Sequence, residues 1–250
     1  MARGEPAIPP GDGWLSPQEA TRAAGMRFTK RRTEYRLRRY AGKCAVAATL
    51  GLPEDPATLA GIAVLNRITG APYVEVHGRP LGLDVSLTDR AGWAICLVGT
   101  DLGAVGVDLE IVEPRSPGFV HDFLTPAEQD LVATAGRAGQ ADAAANLVWS
   151  AKEAALKVMR LGLRADTRTV DVRLDPRALV PGTGRPDWHR LEVGSPRGPL
   201  PGWWRREGRF VLTVVTGPGA DARPPQVIDG SADLGSARPI ETWRAHPLAD

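Results

Sequence analysis

The heptapeptide Val105-Gly106-Val107-Asp108-Leu109-Glu110-Ile111 is apolar at every second position and small or acidic between. Such strict alternation fits a β-strand with one face buried. Val107, Leu109 and Ile111 then point into a core, and Asp108 and Glu110 share the opposite face. Two carboxylates side by side repel unless something cationic lies between them. Mg²⁺ suits such a pair, because it takes one or two carboxylates together with substrate phosphates and keeps several waters. A solvated strand edge would satisfy the same pattern.

The rest of the chain surrounds this strand with short strands and longer helices. Ser16-Pro17-Gln18-Glu19 and Thr125-Pro126-Ala127-Glu128 both read as helix starts with a capping box. From Arg27 to Leu50 nothing interrupts a helix except Gly42, and Gly51-Leu52-Pro53 ends it. A helix is expected over 57–68 and another over 141–161. Strands are expected over 73–76, 83–88, 93–98, 105–111, 170–174, 191–193 and 210–216, with Gly78-Arg79-Pro80 as a turn. The strands are too short and too hairpin-like for a Rossmann fold, and the mixture reads as α+β. No residue-level repeat is evident between the two halves. Residues 1–13 and 217–250 are rich in Pro and Gly and are expected to be a flexible arm and a disordered tail. That leaves an N-terminal lobe over 14–103 and a C-terminal lobe over 104–216.

A second constellation is Trp149-Ser150-Ala151-Lys152-Glu153-Ala154-Ala155-Leu156-Lys157. At about 3.6 residues per turn, Trp149, Glu153 and Lys157 fall on one helical stripe. Glu153 and Lys157 could be an ordinary i,i+4 pair worth about 0.3–0.5 kcal/mol. Alternatively, Glu153 adds a third carboxylate to Asp108 and Glu110, completing a metal site or acting as a base, while Lys152 and Lys157 neutralise phosphate. A third feature is the helix over 27–50, whose Arg27, Lys30, Arg31, Arg32, Arg36, Arg38, Arg39 and Lys43 face a single acid, Glu34. Runs of this kind are commonly solvated faces, nucleic-acid patches or membrane patches.

Taken together, Gly106-Val107-Asp108-Leu109-Glu110 followed by the Trp149–Lys157 segment resembles the signature of the 4′-phosphopantetheinyl transferase superfamily. Phe123 to Glu128 resembles the family's F-x-x-x-E element. Phe28 to Arg32 and Arg39 to Lys43 resemble its basic helix, and Gly78-Arg79-Pro80 its G-[KR]-P turn. The resemblance covers about 27–216, in the order of the long, two-lobed branch typified by surfactin-synthetase activators and the enterobactin-synthase component.

This resemblance implies a pseudo-dimer of two similar α+β lobes with the active site in the cleft between them. It implies transfer of the 4′-phosphopantetheine of coenzyme A to a serine of an apo acyl or peptidyl carrier protein, with release of 3′,5′-ADP. Mg²⁺ would be held by Asp108, Glu110 and Glu153. Glu153 and Lys157 would carry the chemistry. Coenzyme A would meet Lys30, Arg31, Arg39, Arg79, Ser86, Thr88, Lys152 and Lys157. One position departs from the family pattern. Asp84-Val85-Ser86-Leu87-Thr88 has leucine where a histidine associated with the 3′-phosphate is usual, and leucine can neither donate a hydrogen bond nor carry charge.

Leu87 is also what favours a different class, a non-catalytic relative that binds a carrier protein or a nucleotide. The acidic triad argues against it. A nucleic-acid-binding protein rests on the basic helix alone, with no recognised motif nearby. Hydrophobic residues at 43%, charged residues at 24% and a net charge of +2 are ordinary for a globular chain of 250 residues. Cys44 and Cys96, the only cysteines, have no metal-ligand spacing. No apolar stretch near the N-terminus reads as a secretory signal, and the expectation is a cytoplasmic monomer that engages neither membrane nor nucleic acid.

Overall fold

A computed structural model describes residues 1–100, 103–161, 165–179, 188–219, 223–228 and 234–240. The chain is α+β, and its described residues divide into two compact units, one of 1–100 with 226–228 and 238–240, the other of 103–225 with 234–237.

The first unit holds β1 (Ala2–Gly4), α1 (Pro17–Ala24), α2 (Thr29–Thr49), α3 (Pro56–Ala60), β2 (Ile62–Asn66), β3 (Pro72–Val76), β4 (Arg79–Leu81), β5 (Asp84–Arg90) and β6 (Trp93–Gly99). Its strands form two antiparallel sheets, ordered β1-β6-β5 and β2-β3-β4. Trp14, Tyr35, Val46, Leu59, Ile62 and Val85 build its core. Gly42 is the one glycine within α2. A Cβ there would stand 3.0 Å from Leu87 and 3.3 Å from Val64, so its absence lets the helix lie close on both sheets.

Three expectations fail in this unit. The expected helix over 57–68 ends at Ala60, and β2 follows at once. Ile62-Ala63-Val64-Leu65 is apolar, with β-branched Ile62 and Val64, and pairing with β3 satisfies its backbone better than a helix end would. Gly78-Arg79-Pro80 is a turn only at His77 and Gly78, both with positive φ, after which β4 begins. The N-terminal arm is also ordered. Ala2 to Gly4 pair with Ile95 to Trp93 and are buried, and Arg3 is locked to Glu54 by two 2.8 Å hydrogen bonds.

The second unit holds β7 (Val105–Ile111), α4 (Pro117–Phe123), α5 (Pro126–Gly136), α6 (Ala141–Val158), β8 (Asp171–Leu174), β9 (His189–Gly194), β10 (Leu200–Glu207) and β11 (Phe210–Thr216). The strands form one antiparallel sheet ordered β7-β11-β10-β9-β8. Helix α6 packs against it through Leu147, Ala151, Ala154, Ala155 and Val158, meeting Val211, Val215, Trp204 and Leu191. Helix α4 and strand β10 lie outside the elements expected from the sequence. Within 217–250, residues 234–240 are docked and do not form a loose tail, whereas 223–228 are largely exposed. Leu234 and Ala237 are buried, Trp93 Nε1 donates to the Arg238 carbonyl at 2.7 Å, and the Ile240 N–H donates to Ala91 at 2.8 Å.

The two units share a device that corrects the expectation of no repeat. Trp14-Leu15-Ser16-Pro17-Gln18-Glu19 opens α1, and Phe123-Leu124-Thr125-Pro126-Ala127-Glu128 opens α5. Both form full capping boxes. Glu19 also accepts from Val64 N in β2, and Glu128 accepts from Val172 N in β8. Glu19 pairs with Lys43 of α2 at 2.6 Å and Glu128 with Lys152 of α6 at 2.8 Å, and all four side chains are fully buried. The same offset in sequence separates Ser16 from Thr125, Glu19 from Glu128 and Lys43 from Lys152.

Candidate active site

β7 is an edge strand, and its Gly106, Asp108 and Glu110 face α6. Gly106 shows why. A Cβ there would come within 2.0 Å of the Ala154 carbonyl oxygen and 3.1 Å of Val158. The glycine of the motif thus lets helix and strand approach closely at this point, and it fixes the side chains on either side. Glu153 and Lys157 flank Ala154 on α6 and are turned toward β7. Lys157 Nζ donates to the Val107 carbonyl and to Asp108 Oδ1, both at 2.8 Å. Lys157 therefore reaches across to the strand instead of forming the i,i+4 pair with Glu153.

Glu110 is met from the other side. Arg115 lies in the segment that follows β7, and its guanidinium contacts Glu110 Oε2 at 3.1 Å. Its Nε donates to Asn146 Oδ1 at 2.7 Å, and Asn146 in turn donates to the Glu113 and Asp142 carbonyls. Arg115 also lies 4.7 Å over the Phe119 ring. Phe119, Phe123 and Trp149 form an aromatic triangle with centroids 5.1–5.3 Å apart. Trp149 thus anchors α4 to α6, which holds the Arg115 segment against Glu110. Arg115 carries one signal in the sequence, a lone arginine just past an acidic strand.

Glu153 Oε1 is buried and has no hydrogen-bond partner among the described residues. Its carboxyl pKa is pushed up to about 7, first by burial and then by the charge of Asp108, with Glu110 adding to the rise and Lys157 opposing it. The three expected carboxylates therefore sense one another, and two cations, Lys157 and Arg115, stand beside them. Among the described residues, no group of three or more His, Cys, Asp and Glu side chains is drawn together tightly enough to hold a metal ion by itself. The chemistry of the donor set still fits a hard divalent cation: all three donors are carboxylates, they repel one another, and a buried oxygen of Glu153 lacks a donor.

Residues 104–192 match the model of the 4′-phosphopantetheinyl transferase superfamily. That span contains β7, Arg115, the aromatic triangle and α6, and so every side chain of the acidic cluster. No curated protein sequence matches the chain. Among solved structures, the holo-[acyl-carrier-protein] synthase of Neisseria meningitidis aligns at 18% identity and a TM-score of 0.35, over 46% of this chain and 98% of that one.

Two of the residues that the resemblance to this superfamily assigned to coenzyme A are spent elsewhere. Lys152 is fully buried, and its ammonium donates to the Thr167 and Val170 carbonyls at 2.9 and 2.8 Å besides pairing with Glu128. All three donors are used, none for phosphate. Arg39 is buried, stacked 4.8 Å over Tyr35, and donates to the Val64 carbonyl and Asn66 Oδ1 at 2.6 and 2.7 Å. Lys30 and Arg31 are exposed at the start of α2, and Arg79 is exposed on β4. Ser86 and Thr88 are buried on one face of β5, and Leu87 turns to the other, against Gly42. No helix among the described residues is long and apolar enough to cross a membrane.

Proposed function

We propose that the protein is a phosphopantetheinyl transferase that moves the 4′-phosphopantetheine of coenzyme A onto a carrier-protein serine. One coincidence carries this reading. The segment similar to the superfamily is the segment in which Asp108, Glu110 and Glu153 gather beside Lys157. The resemblance assigns phosphate contacts to Lys30, Arg31 and Arg79, and these three are exposed cations of the kind that forms charge-assisted bonds.

Asp108, Glu110 and Glu153 would hold Mg²⁺. When bound, the ion supplies positive charge to the phosphoryl oxygens. Glu153, whose buried Oε1 meets no hydrogen-bond donor among the described residues, is suited to take the proton of the serine hydroxyl there, a role typically worth about 10²–10⁴-fold. The serine oxygen then bonds to the β-phosphorus of coenzyme A. The bond from that phosphorus to the bridging oxygen breaks, and 3′,5′-ADP departs. Lys157, a half-buried cation held on Asp108, offsets charge as the pyrophosphate is cleaved. The carrier belongs to fatty-acid, polyketide or nonribosomal-peptide synthesis, all of which present such a serine.

A second reading, a non-catalytic relative that binds carrier or nucleotide, is favoured only by Leu87. The two separate on one experiment: incubation of an apo carrier protein with coenzyme A, Mg²⁺ and this chain. A transferase converts the carrier to its phosphopantetheinylated mass. A binding protein forms a complex and leaves the carrier mass unchanged.

A further inference from the structure

The geometry points to the buried Glu128–Lys152 clamp as the device that aims the acidic cluster, and we propose Glu128 and Lys152 as positioning residues for transfer. The inference rests on the reading of the protein as a transferase and adds two residues that touch neither substrate nor metal.

Successive side chains on a helix diverge by about 100° around its axis. Lys152 and Glu153 are neighbours on α6, so fixing the direction of one fixes the direction of the other. Lys152 points away from β7. Its ammonium is held by Glu128 Oε2, the Thr167 carbonyl and the Val170 carbonyl at 2.8–2.9 Å. Glu128 is equally fixed. Oε2 accepts from Thr125 N at 2.7 Å and Oε1 from Val172 N at 2.8 Å. One carboxylate therefore ties the N-terminus of α5, strand β8 and the middle of α6 to a single point. Neither group is exposed at all, so there is no solvent to substitute for a missing partner. With Lys152 locked, Glu153 and Lys157 can only project toward β7, where Lys157 finds Asp108.

The first unit supplies an internal control. Its Glu19–Lys43 clamp has the same capping box, the same strand amide and the same saturation of the lysine by carbonyls, from Trp14, Leu59 and Ile62. Yet the residue after Lys43 is Cys44, and Ala48 stands where Lys157 follows Lys152. A clamp that serves folding alone should matter equally in both places. A clamp that also aims chemistry should matter to turnover only at Glu128.

The test compares Glu128→Gln with Glu19→Gln in the full chain, measuring melting temperature, kcat and KM for transfer to an apo carrier protein, and amide exchange of the 149–157 peptide. Both variants should melt lower than wild type. Glu128→Gln should lose at least 10-fold in kcat at a temperature where it remains folded, with KM for coenzyme A changed less than 3-fold and faster exchange over 149–157. Glu19→Gln should keep kcat within 3-fold. If Glu128→Gln does not fold, the double variant Glu128→Gln/Lys152→Met replaces it, since it removes the clamp without stranding a buried charge. Glu128→Asp, which keeps the charge at shorter reach, should recover part of the lost kcat. Equal kcat in the Glu19 and Glu128 variants, at any level, overturns the positioning role and leaves the transferase reading intact. A wild-type chain that transfers nothing overturns the transferase reading, and this inference with it.

Discussion

Replacing Gly106 by alanine tests the seam on which the acidic cluster depends. The new Cβ would lie 2.0 Å from the Ala154 carbonyl oxygen and 2.8 Å from its carbon. Ordinary contact begins at 3.4 Å, so α6 must retreat from β7 by about 1.4 Å. The obstacle is helix backbone, which cannot rotate aside as a side-chain tip can. Overpacking of a well-filled core costs about 1–3 kcal/mol, and a backbone clash belongs at the upper end. At about 2–4 °C per kcal/mol for a chain of this size, the melting temperature should fall by roughly 5–10 °C. The same retreat carries Glu153 and Lys157 away from Asp108. A displacement of about 1 Å in a reacting constellation can cost 10²-fold, so transfer should fall by about that factor in protein that is still folded. Gly118→Ala is the control, because its Cβ would meet nothing nearer than Ser116 Oγ at 3.9 Å. Calorimetry and intact-mass kinetics on both variants decide the matter. A Gly106→Ala protein with wild-type melting and wild-type turnover would refute the idea that this close approach sets the site.

Glu153→Gln should stabilise the metal-free protein at alkaline pH. The Glu153 pKa is raised to about 7, so its folded state binds the proton more tightly than its unfolded state, and stability is lost as pH rises from about 4.5 through 7. A shift of that size corresponds to roughly 3 kcal/mol, which solvent screening reduces to about 1–2 kcal/mol. The variant's thermal gain should be full at pH 8 with chelator present and shrink toward pH 5; a gain that is flat with pH, or a loss at pH 8, would contradict it. Ending the chain at Gly219 removes buried Leu234 and Ala237 and the bonds of Trp93 and Ala91 to residues 238 and 240. Melting should drop by several degrees, with a red shift of tryptophan emission, and an unchanged melt would show that this docking contributes nothing. Leu87→His places an imidazole against Gly42, on the face of β5 opposite Ser86 and Thr88. Titration calorimetry should find coenzyme A affinity within about 3-fold of wild type, and marked tightening for coenzyme A but not its 3′-dephospho form would reverse that expectation.

The elements that carry the site were legible in the sequence because each follows a single clear period. β7 alternates strictly, and α6 runs from Ala141 to Val158 without a breaker. Both capping boxes were legible too, since a Ser or Thr followed by Pro and then Glu is a local signal. What escaped depends on partners distant in sequence. Ile62 to Leu65 continues the apolar pattern of α3, and only β3 turns it into a strand. Strand β10 holds Pro201 and Gly202 near its start and ends in charge, yet pairs on both sides. Lys152 reads as a phosphate ligand in the sequence because it stands beside Glu153 in the Trp149–Lys157 segment and its partner lies far away in the chain. Glu128, twenty-four positions upstream, is what buries it. The repeat between the units is short in sequence, six residues opening α1 and α5 and one lysine far downstream, and the pairing of Glu19 with Lys43 and of Glu128 with Lys152 is what shows that it is structural.

The most direct test of the central claim is the intact mass of an apo carrier protein after incubation with coenzyme A, Mg²⁺ and the wild-type chain, alongside Asp108→Ala, Glu110→Ala and Glu153→Ala. The account predicts that the wild type adds one phosphopantetheine to the carrier, that a carrier whose acceptor serine is changed to alanine gains nothing, and that each of the three variants, folded by circular dichroism, nearly abolishes the gain. Transfer within a few-fold of wild type in any variant would remove that carboxylate from the site, and an unmodified carrier with the wild-type chain would contradict the account as a whole.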